Sequence, residues 1–219
     1  MEEFLESLRN DHSDFDKGSL EDLVKKVNPI VLFKRWLNEA VENKCEEPNA
    51  MAISTVDMNG MPSSRYVYLK EMDDKGLVFY TNYNSHKGHD LTKNPHISVL
   101  FFWREMSRQI RVQGIVEKVP TELSDEYFNS RPRESQIGAW ASQQSEIILD
   151  RKTLEDKVIQ LTKEFEGKEV PRPEYWGGYY IKPIYFEFWQ GRESRLHDRI
   201  CFEKKHIEDT QWNVYRRNP

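Results

Sequence analysis

Short runs of β-favouring residues, separated by turn residues, follow one another along the middle of the chain. β-Branched and aromatic residues concentrate in these runs, which is typical of strands. The expected strands are Ala50–Val56, Ser64–Glu71, Leu77–Thr81, Ile97–Trp103 and Arg108–Val119. Asn59-Gly60 and Asp74-Lys75-Gly76 are turn sequences that join antiparallel neighbours. The pattern therefore predicts an antiparallel meander.

The character of individual runs predicts where they lie in the sheet. Ile97–Trp103 is almost wholly apolar, which predicts a central strand. The run from Arg108 alternates instead, so that Gln109 and Arg111 lie on one face and Ile110 on the other.

Helical patterns surround this meander. Asn28-Pro29 is typical of a helix start, and Ile30, Phe33, Leu37 and Val41 then recur at helical spacing. Further helices are expected from Ser85 to about Lys93 and over Thr121–Ser130, Glu134–Ala141 and Asp150–Phe165, with late strands at Tyr179–Trp189, Arg199–Lys204 and Trp212–Arg217. The prediction is a mainly β protein, a barrel with added helices, over residues 28–219. Residues 1–27 are polar and predict a mobile N-terminal arm or lid.

Composition excludes several classes of function. The formal net charge of −5 argues against generic attraction to nucleic acid or an anionic membrane. No apolar run is long enough to span a bilayer, and the acidic N-terminus is unlike a signal or transit peptide. Cys45 and Cys201 lack metal-like spacing, which indicates a reducing, cytoplasmic setting.

The stretch Tyr185–Arg199, YFEFWQGRESRLHDR, is the most unusual part of the sequence. An aromatic strand ends at Gly191, and Arg192, Arg195, His197 and Arg199 follow within a few residues. Grouped guanidiniums beside a tryptophan suit an anionic or flat ligand. The alternative is a solvated basic turn.

Three other clusters contain good phosphate ligands. RYVYLK carries Arg65 and Lys70, which strict alternation would place on opposite faces unless a bulge intervenes or each binds a different anion. Tyr80 and Thr81 end a strand before the expected helix start at Ser85-His86-Lys87, a geometry that suits phosphate. Tyr127, Arg131 and Ser135 recur four residues apart across Pro132. For each cluster the alternative is an ordinary solvated strand end or helix terminus.

Other site chemistries lack support in the sequence. The histidines show no metal-binding spacing, so no metal is expected, and no motif for nucleophilic catalysis is present. The residues alone predict a protein that binds phosphorylated small molecules, at least one of them aromatic.

At these residues the chain closely resembles the pyridoxamine (pyridoxine) 5′-phosphate oxidases, FMN enzymes with a split-barrel fold. The resemblance extends from about Asn28 to Pro219 and includes RPRESQIGAW and EFWQGRESRLHDR. It implies a homodimer, with the site at the subunit interface. The implied reaction oxidises pyridoxamine and pyridoxine 5′-phosphates to pyridoxal 5′-phosphate, with O2 reduced to H2O2. A split-barrel flavin reductase and a non-catalytic binder of FMN or vitamin B6 phosphates are the alternatives.

The resemblance also implies roles for individual residues. FMN would be bound by Arg65, Tyr80, Thr81, His86, Lys87, Gln109, Gln144, Ser145, Trp189 and Arg199. Substrate phosphate would be bound by Lys70, Tyr127, Arg131 and Ser135, while Arg195 and His197 would lie over the substrate ring as catalytic residues. Arg9 resembles part of a family lid motif that closes over the substrate. Two positions depart from the family: His86 stands where an arginine is usual, and His12 where that lid motif has a tyrosine.

Overall fold

The structure is a computed structural model that describes residues 15, 18–21 and 26–219. The expected lid residues Arg9 and His12 lie outside the described residues. The chain divides into two compact units. The terminal unit consists of the residues up to Pro48 together with Phe101–Arg111 and Tyr185–Pro219, and the central unit consists of Asn49–Leu100 and Val112–Ile184.

The strands and helices follow one another largely in the predicted order, with their ends shifted by a few residues. The strands are β1 (Ala50–Val56), β2 (Pro62–Tyr68), β3 (Glu71–Met72), β4 (Leu77–Asn82), β5 (His96–Trp103), β6 (Arg108–Lys118), β7 (Trp176–Gln190), β8 (Asp198–Glu203) and β9 (Asn213–Arg216). The helices are α1 (Pro29–Glu42), α2 (His86–Lys93), α3 (Thr121–Ser130), α4 (Arg133–Ala141) and α5 (Arg151–Glu164). The expected class, mainly β with added helices, is confirmed.

The strands are hydrogen-bonded in the order β2-β1-β5-β6-β7-β4-β3. β1 pairs antiparallel with β2 and β5, and β4 pairs antiparallel with β7. The apolar strand β5 has neighbours on both sides, which confirms its expected central position. The alternation expected along β6 is confirmed as well, since Ile110 is buried while Gln109 and Arg111 are only partly so.

The hairpin between β1 and β2 is present, but its connection is longer than a two-residue turn. Val56 pairs with Pro62, so Asp57–Met61 form the loop. The Asp57 carboxylate accepts hydrogen bonds from the backbone N–H groups of Asn59 and Met61, each at 2.8 Å. Gly60 adopts φ +82°, a left-handed conformation that glycine takes without strain.

β2 ends three residues before the predicted limit, and this changes the directions of its cations. Beyond Tyr68 the chain leaves its ladder: the Leu69 N–H donates to the Asn49 carbonyl and the Lys70 N–H donates to the Val78 carbonyl. The alternation that would separate Arg65 from Lys70 therefore stops between them, because Lys70 belongs to the link toward β3 rather than to β2.

The terminal unit is built on aromatic packing. Helix α1 begins where Asn28 Oδ1 accepts a hydrogen bond from the Ile30 N–H at 2.8 Å, and it buries Phe33 and Trp36. Phe33 packs edge-on against Phe101, with ring centroids 5.0 Å apart, and Trp36 packs similarly on Phe188 at 5.2 Å. In this unit β8 pairs with both β7 and β9.

None of the helices in the described ranges combines the length and apolarity needed to cross a membrane.

We expect Phe33→Ala to lower the free energy of unfolding by about 3–5 kcal/mol, because it removes a fully buried ring from a packed cluster. Val31, on the same helix, is 54% exposed, so Val31→Ala should change stability by no more than about 0.5 kcal/mol. Urea unfolding of both variants measures the difference. Equal losses would show that the aromatic cluster does not stabilise this unit.

Candidate active site

The central unit contains a cavity of about 570 Å³ whose described lining is basic and aromatic. The lining residues are Arg65, Tyr66, Val67, Tyr68, Lys70, Tyr80, Thr81, Lys87, Tyr127, Arg131, Pro132, Ser135, Gln144 and Trp176. This set includes most of the residues that the resemblance assigns to the two phosphates. It contains four cations and no carboxylate. The cavity therefore suits an anionic ligand.

Arg65 is held by neutral groups. Its guanidinium donates to Thr55 Oγ1 at 2.7 Å and to Ser63 Oγ at 2.8 Å. Burial lowers the pKa of Arg65, and the charge of Asp90 opposes that shift. Asp90 accepts a hydrogen bond from Thr55 Oγ1 at 2.6 Å. The Thr55 hydroxyl therefore links the Asp90 carboxylate to the Arg65 guanidinium.

Lys87 is a buried cation at the first turn of α2. It is 9% exposed, and its ammonium donates to Gln144 Oε1 at 2.7 Å, Thr81 Oγ1 at 3.2 Å and Ser85 Oγ at 3.3 Å. Burial, and then the charge of Arg65, lower its pKa to about 8. All three hydrogen-bond acceptors are uncharged. A phosphate here would supply the missing negative charge at a helix N-terminus.

The backbone around Lys87 is fixed by two features. Ser85 caps α2, as predicted, with its Oγ accepting from the Gly88 N–H. Gly88 has no room for a side chain, since a Cβ there would lie 2.0 Å from the Tyr83 carbonyl oxygen. These contacts hold the first turn of α2 against the preceding loop.

Arg131 is held by aromatic faces instead of a counterion. Its guanidinium carbon lies 4.6 Å from the ring centroid of Trp176 and 5.6 Å from that of Phe128. Its Nη1 is buried without a hydrogen-bond partner among the described residues. A buried donor of this kind costs about 1–3 kcal/mol when unsatisfied, so it favours binding of an acceptor such as phosphate.

Tyr80, Tyr127 and Trp176 form a stacked wall beside Arg131. The rings of Tyr80 and Tyr127 are 4.0 Å apart and 15° from parallel, and Tyr80 and Trp176 are 5.7 Å apart and 9° from parallel. Burial and a hydrogen bond to Glu71 raise the pKa of Tyr80, so its hydroxyl stays protonated. The wall restricts the motion of both tyrosines.

The residues around His197 form a second cluster, in the terminal unit. The imidazole Nδ1 accepts a hydrogen bond from the Arg192 N–H at 3.1 Å, and the ring lies 4.7 Å from that of Trp189. The neutral imidazole therefore carries its proton on Nε2. Ser194 and Arg195 both adopt left-handed backbone conformations, at φ +55° and +61°. Such strain in residues other than glycine is typical of functional loops.

Phe15 belongs to the same cluster but does not stand out in the sequence. Its ring contacts Trp189 at 5.7 Å and His197 at 5.3 Å, and the Arg195 guanidinium lies 5.7 Å from its centroid. An isolated phenylalanine in a charged segment has no periodic partner to mark it. Only the long-range contacts identify it.

Four of the remaining predicted residues are not among the described residues that line the cavity. His86 is exposed, and its backbone N–H donates to Ser145 Oγ at 3.2 Å. Ser145 adopts φ +76°. Gln109 is partly buried on β6, and Arg199 pairs with Glu187. The assignment of these four residues to the cofactor stays a prediction.

Comparison with known proteins relates both parts of the chain to one family. The family profile "Pyridoxamine 5′-phosphate oxidase" matches residues 37–163, and "Pyridoxine 5′-phosphate oxidase C-terminal dimerisation region" matches residues 176–219. A pyridoxine/pyridoxamine 5′-phosphate oxidase of Trichormus variabilis is 44% identical over 219 residues, all of both chains. One from Burkholderia vietnamiensis is 46% identical over 94% of this chain and 95% of its own.

Solved structures agree with this relationship. PhzG from Burkholderia lata, in complex with tetrahydrophenazine-1-carboxylic acid, is 31% identical with a TM-score of 0.85, covering 94% of this chain and 100% of its own. A pyridoxamine 5′-phosphate oxidase-related, FMN binding protein from Nostoc punctiforme shares the fold, with a TM-score of 0.68 at 12% identity over 89% of this chain and 100% of its own.

The chain belongs to the pyridoxamine 5′-phosphate oxidase family, and the expected split-barrel fold class is confirmed.

Lys87 should lower the stability of the ligand-free protein. Because its pKa falls to about 8 on folding, the unfolded chain binds more protons between about pH 8 and 10.5, and stability rises with pH through that window. We expect Lys87→Met to raise the free energy of unfolding by roughly 1–3 kcal/mol at pH 7, with the gain fading by about pH 10.5. Urea unfolding of the ligand-free protein at several pH values measures it.

Lys93→Met is the matched control, because Lys93 is an exposed lysine at the other end of α2. It should leave stability almost unchanged at every pH. A Lys87→Met variant that is less stable than wild type at pH 7 would contradict the uncompensated charge.

Proposed function

We propose that the protein is an FMN-dependent oxidase that converts pyridoxamine 5′-phosphate and pyridoxine 5′-phosphate to pyridoxal 5′-phosphate, with O2 reduced to H2O2. The observation that carries the proposal is a cavity bordered by four cations with no carboxylate in its described lining. Family membership supplies the reaction class.

The cofactor is FMN, and the described residues fit its phosphate. Lys87 and Arg65 are both desolvated, and the side chains that accept their hydrogen bonds are neutral. A phosphate dianion would compensate both charges, with Thr81 and Tyr80 alongside it. When bound, FMN supplies the two-electron acceptor, which O2 reoxidises.

A second phosphate, that of the substrate, is bound by Lys70, Tyr127, Arg131 and Ser135. The buried Nη1 of Arg131, without a partner among the described residues, is the donor best suited to it. The aromatic wall limits the positions that the Arg131 fork can take. A phosphate fixed in this way orients the ring attached to it, so that its reacting carbon is presented to the cofactor in a narrow range of positions.

Arg195 and His197 orient the substrate ring. Arg195 offers a planar cation that stacks on an aromatic face. The hydrogen bond that His197 Nδ1 accepts from the Arg192 N–H places the proton of the neutral ring on Nε2. That Nε2–H donor can hydrogen-bond the amine or hydroxyl of the substrate and so orient it.

The overall reaction balances for both substrates. The amine, water and O2 give the aldehyde, ammonia and H2O2, while the alcohol and O2 give the aldehyde and H2O2. In each case two electrons and two protons leave the substrate. Hydrolysis of the imine formed from the amine uses water and needs no protein nucleophile.

The protein functions as a homodimer, with the active site at the subunit interface. Its C-terminal residues match a dimerisation region, which supports the dimer. The cytoplasm is the proposed compartment, because both cysteines are free thiols and disulfides are rare in reducing surroundings.

The test is to supply FMN to the purified protein and to measure H2O2 and pyridoxal 5′-phosphate with each phosphorylated substrate. Both products should form in equal amounts, and pyridoxamine without its phosphate should react with a kcat/KM at least about tenfold lower. Absence of peroxide from a protein that has bound FMN would refute the oxidase.

Arg131→Met should raise KM for pyridoxamine 5′-phosphate at least about tenfold and leave the dissociation constant of FMN unchanged. Arg133→Met is the matched control, since the Arg133 side chain donates to the carbonyls of Phe165 and Lys168 instead of lining the cavity. If Arg131→Met weakens the binding of FMN as much as the binding of substrate, the two-phosphate assignment is wrong.

A further inference from the structure

Glu187 is a buried carboxylate in the middle of an aromatic strand. It is 3% exposed and lies on β7 between Phe186 and Phe188, opposite Cys201 of β8. An isolated carboxylate in such a place would be protonated or expelled. Its position therefore has to be explained by the groups that contact it.

Cations and a hydroxyl surround this carboxylate. Oε2 accepts from Arg199 Nη2 at 2.7 Å and from the Tyr185 hydroxyl at 2.9 Å, and Oε1 lies 3.6 Å from Arg111 Nη1. Burial opposes ionisation, but the hydrogen bonds from Arg199 and Tyr185 and the charges of both arginines hold the pKa of Glu187 below its usual value. Glu187 is therefore a carboxylate at neutral pH.

Arg199 is fixed on two of its three nitrogens. Nη2 donates to Glu187 and Nη1 donates to the Asn218 carbonyl at 2.9 Å. The remaining nitrogen, Nε, is buried and has no hydrogen-bond partner among the described residues. A fixed guanidinium with one unsatisfied donor is arranged to hydrogen-bond a ligand in a single orientation.

We propose that Glu187 is a positioning residue for the cofactor: it sets the orientation of Arg199 toward FMN and offsets part of the Arg199 charge there. The inference rests on the proposed function and on the contact of Arg199 with FMN that the family resemblance implies. Two consequences follow. Loss of Glu187 lowers the affinity for FMN only when Arg199 is present. Loss of the carboxylate charge also leaves the positive charge of Arg199 without its counterion. That charge then stabilises more strongly the negative charge that reduction places on the flavin.

The experiment is a double-mutant cycle read by FMN binding and by potential. Apo wild type, Glu187→Gln, Arg199→Gln and the double variant are titrated with FMN, and the midpoint potential of bound FMN is measured for wild type and Glu187→Gln. We expect Glu187→Gln to raise the dissociation constant of FMN at least about tenfold when Arg199 is present. In the Arg199→Gln background the same change should raise it less than about twofold. Its midpoint potential should shift in the positive direction. A role confined to folding would move neither the coupling nor the potential.

Glu203→Gln is the matched control. Glu203 lies on the neighbouring strand and also accepts from a tyrosine hydroxyl, that of Tyr215, but it is exposed. It should leave FMN affinity and potential unchanged. If Glu187→Gln fails to fold, Glu187→Asp replaces it, since it keeps the charge but withdraws it from Arg199, and the same Arg199-dependent loss of affinity is expected.

Different failures have different meanings. If wild type binds FMN but the loss is the same with and without Arg199, or if no loss occurs, the positioning role is overturned and the oxidase assignment stands. If the wild-type apoprotein binds no FMN, the proposed function and this inference both fall.

Discussion

Buried positive charge without a matching carboxylate is the constraint on which the central unit depends. Desolvation lowers the pKa of Lys87 and of Arg131, which means that folding works against both charges. Proteins seldom keep such charges unless a partner completes them. A phosphate group is that partner in the proposed function, so part of the affinity for ligand comes from relieving a cost already present in the ligand-free fold.

Arg131 of the central unit and Arg199 of the terminal unit are held in opposite ways, and each way suits a different task. Arg131 rests on the faces of Trp176 and Phe128, which leave its full charge for an anion. Arg199 is paired with Glu187, which fixes its orientation and offsets part of its charge. The first arrangement suits capture of a phosphate dianion. The second suits a contact where geometry matters more than net attraction.

Local sequence patterns predicted the elements well because their signals are local. Asn28 and Ser85 cap helices as expected, and the apolar run of β5 lies inside the sheet. The end of β2 was predicted too late, because backbone hydrogen bonds of Leu69 and Lys70 to distant residues decide it. Runs of favourable side chains carry no information on such bonds.

The cationic members of the site could be predicted from their residue types, but the residues that hold them could not. Lys87 and Arg131 attract notice in any sequence. Trp176 and Phe15 become significant only through contacts with residues far away in the chain. For Glu187 one signal was available: a carboxylate inside the aromatic run of β7, where an unpaired charge is unfavourable.

The central claim is that the cations of this chain bind two phosphates at once. Phosphorus-31 NMR of the protein saturated with FMN and then titrated with pyridoxal 5′-phosphate tests it most directly. The predicted result is two separate resonances of bound phosphate, one from each ligand, with chemical shifts of the dianion at pH 7.5. Release of free FMN as pyridoxal 5′-phosphate binds would mean that the cations form a single phosphate site, and it would contradict the claim.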